Sequence, residues 1–349
     1  MAEPTSANDT IMTVGTRQSP LALAQTDIVV SALKALFPTF SFPVHSMTTT
    51  GDRDQHTALY DFGGKGLWTS QLEEKLVARE LDMVVHSLKD MPTSLPAGCA
   101  LGCITHREDP RDTLVIKASL ARDKGWKTLA DLPNGAVIGT SSVRRIAQLA
   151  RRYPGLRFKD VRGNIQTRLR KLDDDPDMAA LVLAAAGLQR MGLSDRISQY
   201  LDKDGGGILH AVGQGALAVE CRAGDERVLG ALRRLADEPT TLACLAERSL
   251  MRTLEGGCSV PIGVETSWVE PGLLRFRAAV VSAPGTDAVD IELTEDVSSA
   301  AAAEELGKRA AHDLVSRGAD KILEAVNAAR TKPGASAAVA QAPVAAEQG

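Results

Sequence analysis

Short aliphatic runs alternate with longer amphipathic stretches through the first two thirds of the chain, and glycine, proline or a hydroxyl residue marks most changes of period. Ile11 to Gly15 reads as a strand and Pro20 to Phe37 as a helix. Ser19 is placed to cap that helix and Pro20 stands at its first position, where no N–H is needed. Arg17 then falls in the turn between them. Phe42 to Thr48 reads as a second strand, and the polar stretch from Thr49 to Gly66, which ends Gly63, Gly64, Lys65, Gly66, as a mobile lid. A helix is expected from Ser70, with Ser70 and Glu73 forming a capping box ahead of Leu72, Leu76 and Val77. Leu81 to Leu88 is an aliphatic strand that delivers Ser87, Lys89 and Asp90 at its carboxyl end, before Met91 and Pro92 break the run.

A second unit follows Arg111. The strands Val137 to Gly139, Phe158 to Val161 and Met178 to Ala185 each run into a turn and a helix, through Thr140, Ser141 and Ser142, through Arg162, Gly163 and Asn164, and through Gly187. The helices carry Arg144 and Arg145, then Arg168, then Arg190. This alternation predicts α/β units with parallel sheets covered on both faces. The stretch from His210 to Cys221, with Gly213, Gln214 and Gly215 ahead of a short strand, is expected to rejoin the first sheet. From Pro239 the order changes to a helix reaching Leu254, then three strand-like runs (Val260 to Trp268, Leu273 to Ser282, Val289 to Thr294) and one final helix from Ser299 to Ala328, which predicts an α+β domain with a three-stranded antiparallel sheet. The resulting division is residues 10–106 with 214–233, residues 111–207, and residues 237–330. The alanine-rich end, 331–349, has no periodicity and reads as a disordered tail.

Composition narrows the picture. At 349 residues, 44% apolar and 24% charged, the chain suits a multi-domain globular protein. Its longest apolar stretch, Ala179 to Leu188, is too short to cross a bilayer, and its first ten residues hold Glu3 and Asp9 without an apolar block, so neither membrane nor export is expected and the cytoplasm is. Five cysteines, an odd and scattered number, argue for reduced thiols, and Cys99 and Cys103 lack the partners a metal site needs.

Charge adds the functional lead. The net charge is −4, yet from Gly139 to Arg190 eleven basic residues face five aspartates. Aromatics are only 3% of the chain and do not interleave with this block, which speaks against a single-strand nucleic-acid binder. A small polyanion fits better, because each helix start offers unpaired N–H groups and the positive end of a dipole, and guanidinium forks beside them grip carboxylates. Asp90, at a strand end facing that cleft, is a natural partner for a cation forming on a substrate. Cys258 follows Gly256 and Gly257, which makes it either an accessible thiol able to carry an adduct or a plain, partly buried cysteine. His86 sits inside its strand and reads as a core histidine.

Nine segments taken together resemble one family. They are Gly15 to Ala24 (GTRQSPLALA), Gly63 to Leu67 (GGKGL), Val85 to Pro92 (VHSLKDMP), Arg107 to Asp112 (REDPRD), Gly139 to Arg145 (GTSSVRR), Val161 to Leu169 (VRGNIQTRL), Ala185 to Arg190 (AAGLQR), Val212 to Ala216 (VGQGA) and Leu254 to Gly263 (LEGGCSVPIG). In this order they resemble hydroxymethylbilane synthase, also called porphobilinogen deaminase. The resemblance implies two domains like type II periplasmic binding proteins hinged around a cleft, a third α+β domain, and a monomer. It implies head-to-tail condensation of four porphobilinogen units with loss of ammonia on a covalent dipyrromethane cofactor, then hydrolytic release of 1-hydroxymethylbilane. By motif, Cys258 would carry the cofactor. Lys89, Ser142, Arg144, Arg145 and Arg168 would hold it, Arg17, Ser19, Arg162 and Arg190 would hold substrate, and Lys65 would sit on the lid. Asp90 would bond pyrrole N–H groups and stabilise the azafulvenium cation. Trp68 stands where the family pattern leads one to expect Phe, and the stretch from Ile116 to Lys127 is longer than in compact relatives. A periplasmic-type binding protein would also place hydroxyls and arginines at helix starts, but it has no use for Asp90 or Cys258.

Overall fold

A computed structural model describes residues 10–49, 51, 68–203, 205–254 and 260–330. Three sheets organise them. The first holds β1 (Val14–Arg17), β2 (Val44–Met47), β3 (Met83–Ser87), β4 (Cys99–Ile104) and a strand from far along the chain, β10 (Leu217–Arg222), in the order β2-β1-β3-β10-β4. The second holds β5 (Asp112–Ile116), β6 (Val137–Gly139), β7 (Arg157–Lys159), β8 (Met178–Ala184) and β9 (Gln199–Leu201), in the order β7-β6-β8-β5-β9.

Both sheets follow one plan. Three parallel strands come first (β2-β1-β3 and β7-β6-β8), and the fourth strand, β10 or β5, runs antiparallel to its neighbours. The purely parallel expectation is therefore corrected. A strand that arrives from the opposite unit enters without a crossover helix, so it can lie antiparallel. Helices follow most of the parallel strands, α1 (Pro20–Leu36) after β1, α4 (Val143–Arg152) after β6, α5 (Ile165–Asp174) after β7 and α6 (Ala185–Arg190) after β8, with α2 (Ser70–Val77) before β3 and α3 (Ala118–Lys124) after the antiparallel β5.

Helix starts obey the capping chemistry in part. Ser19 Oγ accepts from the N–H of Ala22, and Ser142 Oγ from that of Arg145. The expected box at α2 does not form: Thr69 occupies the cap position without a side-chain bond, and Glu73 is buried instead of reaching back. Burial of Glu73 beside the His86–Glu220 pair outweighs the local cap, and with it the Glu73 carboxyl rises above its ordinary pKa. His86 is buried and bonds Glu220 at 3.0 Å, a satisfied core histidine.

The first sheet packs Val14, Met83, Val85 and Val219 against Val29 and Leu33 of α1 and Val228 and Leu232 of α7 (Glu226–Arg233). The second has an apolar core on each face, around Leu114, Ile138 and Val182 and around Leu169, Leu172, Leu181 and Leu183. Continuous burial from Met178 to Leu183 along β8 serves both faces, as a sheet with two covered sides requires.

The third sheet, β11 (Ile262–Glu270), β12 (Leu273–Val281) and β13 (Ala288–Asp296), is fully antiparallel, as expected. Phe276, Leu274 and Val280 pack onto α8 (Glu238–Thr253), α9 (Ala300–Ser316) and α10 (Ala319–Arg330). The single final helix of the sequence reading is two helices. Gly318, at φ +97°, lets the chain turn so that Ala319, Ile322 and Leu323 reach the core that a straight helix would miss.

Two segments cross between the five-stranded sheets, and they bond to one another. Glu108 N–H donates to Gly215 O at 3.2 Å, Arg107 Nε to Gln214 O at 2.8 Å, and Gln214 Nε2 to Pro110 O at 2.7 Å. Glu247 of α8, fully buried, accepts two bonds from Arg107 (2.7 and 3.1 Å) and one from the N–H of Gly213 (2.8 Å), which ties the third sheet to both crossings. Gly215 sits at φ +89°, and a Cβ there would meet Glu108 O at 2.4 Å. Gly215→Ala is expected to cost roughly 1–3 kcal/mol from strain alone and to lower the thermal midpoint by several degrees. A scanning calorimetry trace with an unchanged midpoint would show slack at this crossing.

Candidate active site

Strand ends converge on a cleft of about 620 Å³ between the two five-stranded sheets. From the first sheet come Arg17 at the end of β1, Ser19 at the cap of α1, and Lys89 and Asp90 on the 3-10 turn Leu88–Asp90 that follows β3. From the second come Arg145, Arg162, Arg168 and Arg190. Carboxyl ends of parallel strands face a crevice because the helices that follow them turn back over the sheet, which leaves helix starts exposed on that side. Six basic side chains and one acid, Asp90, therefore line the cleft among the described residues.

Their positions are held by backbone and by buried acid. Arg145 is buried and forks Asp112 Oδ1 (Nε 3.0 Å, Nη2 2.7 Å), while its Nη1 donates to Val182 O at 2.8 Å. Arg168 Nε donates to Gly163 O at 2.7 Å, Arg190 Nη2 to Gly215 O at 2.7 Å, and Arg162 Nε pairs with Asp160 at 3.3 Å. Arg17 lies over the ring of Trp68 at 4.1 Å, a cation–π contact that also brings Trp68 into the wall. Gln25 and Ser87 share two hydrogen bonds at 2.9 and 3.0 Å on the floor.

The electrostatics fit an anion. Burial, with the charge of Arg145 adding to it, pulls the Lys89 ammonium down to about 8 even with Asp90 opposing. Burial and the neighbouring Arg145 bring Arg168 down to about 10. Burial also lowers Arg190, whose buried Nε has no hydrogen-bond partner in the described structure. Cations held against their own repulsion favour an anionic ligand, and the carboxylates of a dipyrromethane match that donor set.

Two expected site residues lie behind the cleft. Arg144 is buried, with Nη1 at 2.7 Å from Asp112 Oδ2 and 2.6 Å from Leu209 O. Consecutive residues on a helix point about 100° apart, so Arg145 faces the cleft while Arg144 turns inward. Ser142 does not line the cleft; its hydroxyl caps α4. Lys65, the expected lid from Thr49 to Gly66 apart from Thr49 and Gly51, Cys258 and the tail from 331 to 349 lie outside the described residues. α8, which precedes Cys258 in the chain, ends at Thr253, and Arg248 on it donates to Pro92 O at 2.7 Å, just past Asp90.

Several contributors escaped the sequence reading. Gln25 breaks the apolar stripe Ala22, Thr26, Val29, Val30, Leu33 of α1, and a polar residue on a buried face was its signal. Asp112 opens a strand buried at every position, an odd place for a lone carboxylate. Its pKa is held well below the ordinary range because Arg144 and Arg145 outweigh the burial penalty. Trp68 was noted only as a departure, without its arginine.

Residues 12–230 match the family model described as "Porphobilinogen deaminase, dipyromethane cofactor binding domain", and residues 241–316 match "Porphobilinogen deaminase, C-terminal domain". The porphobilinogen deaminase of Neurospora crassa is 54% identical over 92% of this chain and 96% of its own. That of Saccharomyces cerevisiae is 48% identical over 91% and 98%, and that of a Synechococcus species 49% identical over 89% and 94%. These matches settle the affiliation: the chain belongs to the porphobilinogen deaminase family.

Proposed function

We infer that the chain is a hydroxymethylbilane synthase, a transferase that joins four porphobilinogen molecules head to tail with loss of ammonia and releases 1-hydroxymethylbilane by hydrolysis. The observation that carries this reading is the cleft lined by six basic groups around one carboxylate. Each porphobilinogen brings an acetate and a propionate, and a growing chain needs many cationic seats. Bound dipyrromethane supplies the acceptor pyrrole. Lys89, Arg145 and Arg168 would hold its carboxylates, while Arg17, Ser19, Arg162 and Arg190 would hold those of substrate.

Asp90 supplies the remaining chemistry. When the amino group of porphobilinogen's aminomethyl arm leaves as ammonia, the methylene carbon stays behind and positive charge spreads over it and the substrate pyrrole. A fixed carboxylate in a partly dry site stabilises that charge and orients the pyrrole N–H. Ser142 and Arg144 would act from behind, the one by starting α4 and the other by bracing Asp112. Cys258 is proposed as the attachment point on its motif alone, and Lys65 as a lid residue on the same footing.

The three sheets support a division into three domains at the boundaries expected from sequence, since each has its own apolar core. No helix among the described residues is long and apolar enough to cross a membrane. Action in the cytoplasm, with no nucleic-acid partner, is the reading that the acidic overall charge and the reduced-thiol cysteine pattern favour, and the family resemblance implies a monomer.

Three outcomes are expected. The purified protein, acid-denatured and treated with Ehrlich's reagent, gives a coloured product, and its intact mass shows an adduct on Cys258 that grows in substrate-sized steps; a colourless protein of unmodified mass refutes the enzyme reading in favour of a binding protein. Asp90→Ala keeps the fold and the adduct but lowers turnover by about 10²–10³ or more, the scale of one lost charge-stabilising group, and wild-type turnover in that variant removes Asp90 from its role. Because the Lys89 pKa lies below its unfolded value, the ammonium is intact under neutral conditions and is lost as pH rises through about 8. As the cofactor that receives porphobilinogen then loses one of its cationic seats, the KM for porphobilinogen should climb above pH 8, and Lys89→Arg should flatten that climb; identical profiles for the two proteins count against a Lys89 hold on the cofactor.

A further inference from the structure

Beneath the cleft, one buried hydrogen-bonded string joins the two halves. Asp112 is fully buried at the start of β5, where Oδ2 accepts from Arg144 at 2.7 Å and Oδ1 from Arg145 at 3.0 and 2.7 Å. Oδ1 also accepts from Gln214 Nε2 at 3.0 Å. Gln214 lies on the other crossing, 1% exposed, and its amide is fully used. Both N–H groups donate, to Asp112 and to Pro110 O at 2.7 Å, so the oxygen must face the other way, and it accepts from Lys89 Nζ at 3.4 Å. Gln214 does not line the cleft, whereas the two cations at the ends of the string, Lys89 and Arg145, do.

We propose that Gln214, anchored on Asp112, is a positioning residue that fixes the Lys89 ammonium of the first sheet at a set place relative to the Arg145 guanidinium of the second. The amide is the group suited to this task. It donates to a carboxylate on one side and accepts from an ammonium on the other, which neither a carboxylate nor an apolar side chain of the same length does. Its neutrality matters as well. Lys89 already feels Asp90 and Asp112 as anions and Arg145 and Arg144 as cations, and a neutral acceptor supports the ammonium without binding it as an ion pair that would compete with a ligand carboxylate. Rigid spacing of two cations from opposite sheets selects ligands whose carboxylates have the matching separation.

The inference deepens the proposed function and rests on it for the identity of the ligand, but its first test does not need catalysis. In the purified full-length protein, trace acetylation of Lys89 followed by peptide mass spectrometry reports the pH at which the amine loses its proton, expected near 8 in the wild type. Gln214→Glu sets an anion beside Lys89 and should raise that pH by at least about one unit, cutting Lys89 acetylation at pH 8 by about fivefold while other lysines react as before. An unchanged Lys89 profile in a folded variant overturns the proposal. Should the added carboxylate beside Asp112 prevent folding, Gln214→Leu carries the test: Lys89 should then change its acetylation rate at least threefold, and KM for porphobilinogen should rise about tenfold with a smaller change in kcat. Equal acetylation and KM in a folded Gln214→Leu protein overturn the proposal too. A wild type inert toward porphobilinogen, with the acetylation shift present, would defeat the enzyme reading and leave the positioning role standing.

Discussion

The mutual repulsion of guanidinium and ammonium groups gathered in one partly dry cleft is the constraint around which the rest is built. Burial disfavours the charged forms of Lys89 and Arg168, and the nearby charge of Arg145 adds to it, as their lowered values record. The protein answers with a carboxylate placed out of reach of solvent. Asp112 takes both Arg144 and Arg145, and because it is fully buried its attraction is hardly screened. That arrangement leaves the cleft face of the cluster cationic while its inner face is neutralised. A dry ion cluster of this kind is weak evidence for stability, since the attraction it gains is set against the cost of desolvation. Its value lies in pre-organisation, with charges in place before any anion arrives.

Most of what positions the cleft was readable in the chain because it is local. Ser19 and Pro20, Thr140 to Ser142, and Arg162 to Asn164 announce strand-to-helix turns through the backbone conformations they favour, and each turn formed where expected. Long-range decisions were legible only in part: the return of the chain to the first sheet is expected from the sequence, but its slot and direction there are not. The entry of β10 between β3 and β4 changes no local propensity, so the mixed sheet is invisible to a reading of periodicity. The failed box at α2 shows a tertiary partner outbidding a local one: Glu73 goes to the buried His86–Glu220 region and leaves Thr69 uncapped. Gly318 was lost inside an otherwise unbroken helical pattern, because a left-handed residue is a choice made by packing. Arg144 and Arg145 look alike as letters and both reach Asp112, and only their phase on α4 puts Arg145 on the wall of the cleft and turns Arg144 inward.

The third sheet is more than an appendage that follows the cleft in sequence. Two consecutive residues of α8 grip different parts of the other sheets, Glu247 the crossings through Arg107 and Gly213, and Arg248 the turn behind Asp90 through Pro92. One turn of one helix thus references the segment just past Asp90 to the bridge between the halves. Displacement of α8 would move both at once.

The traded fourth strands carry a consequence for how such a chain is made. During synthesis β1 to β4 emerge first, yet β3 and β4 are not neighbours, and the place between them stays open until Leu217 has left the ribosome. More than a hundred residues, the whole second sheet among them, must appear while two strand edges wait unpaired. Such edges are sites of mispairing between nascent chains. The same exchange that makes a clasped cleft in the finished molecule therefore prolongs the interval in which the unfinished one is open to aggregation.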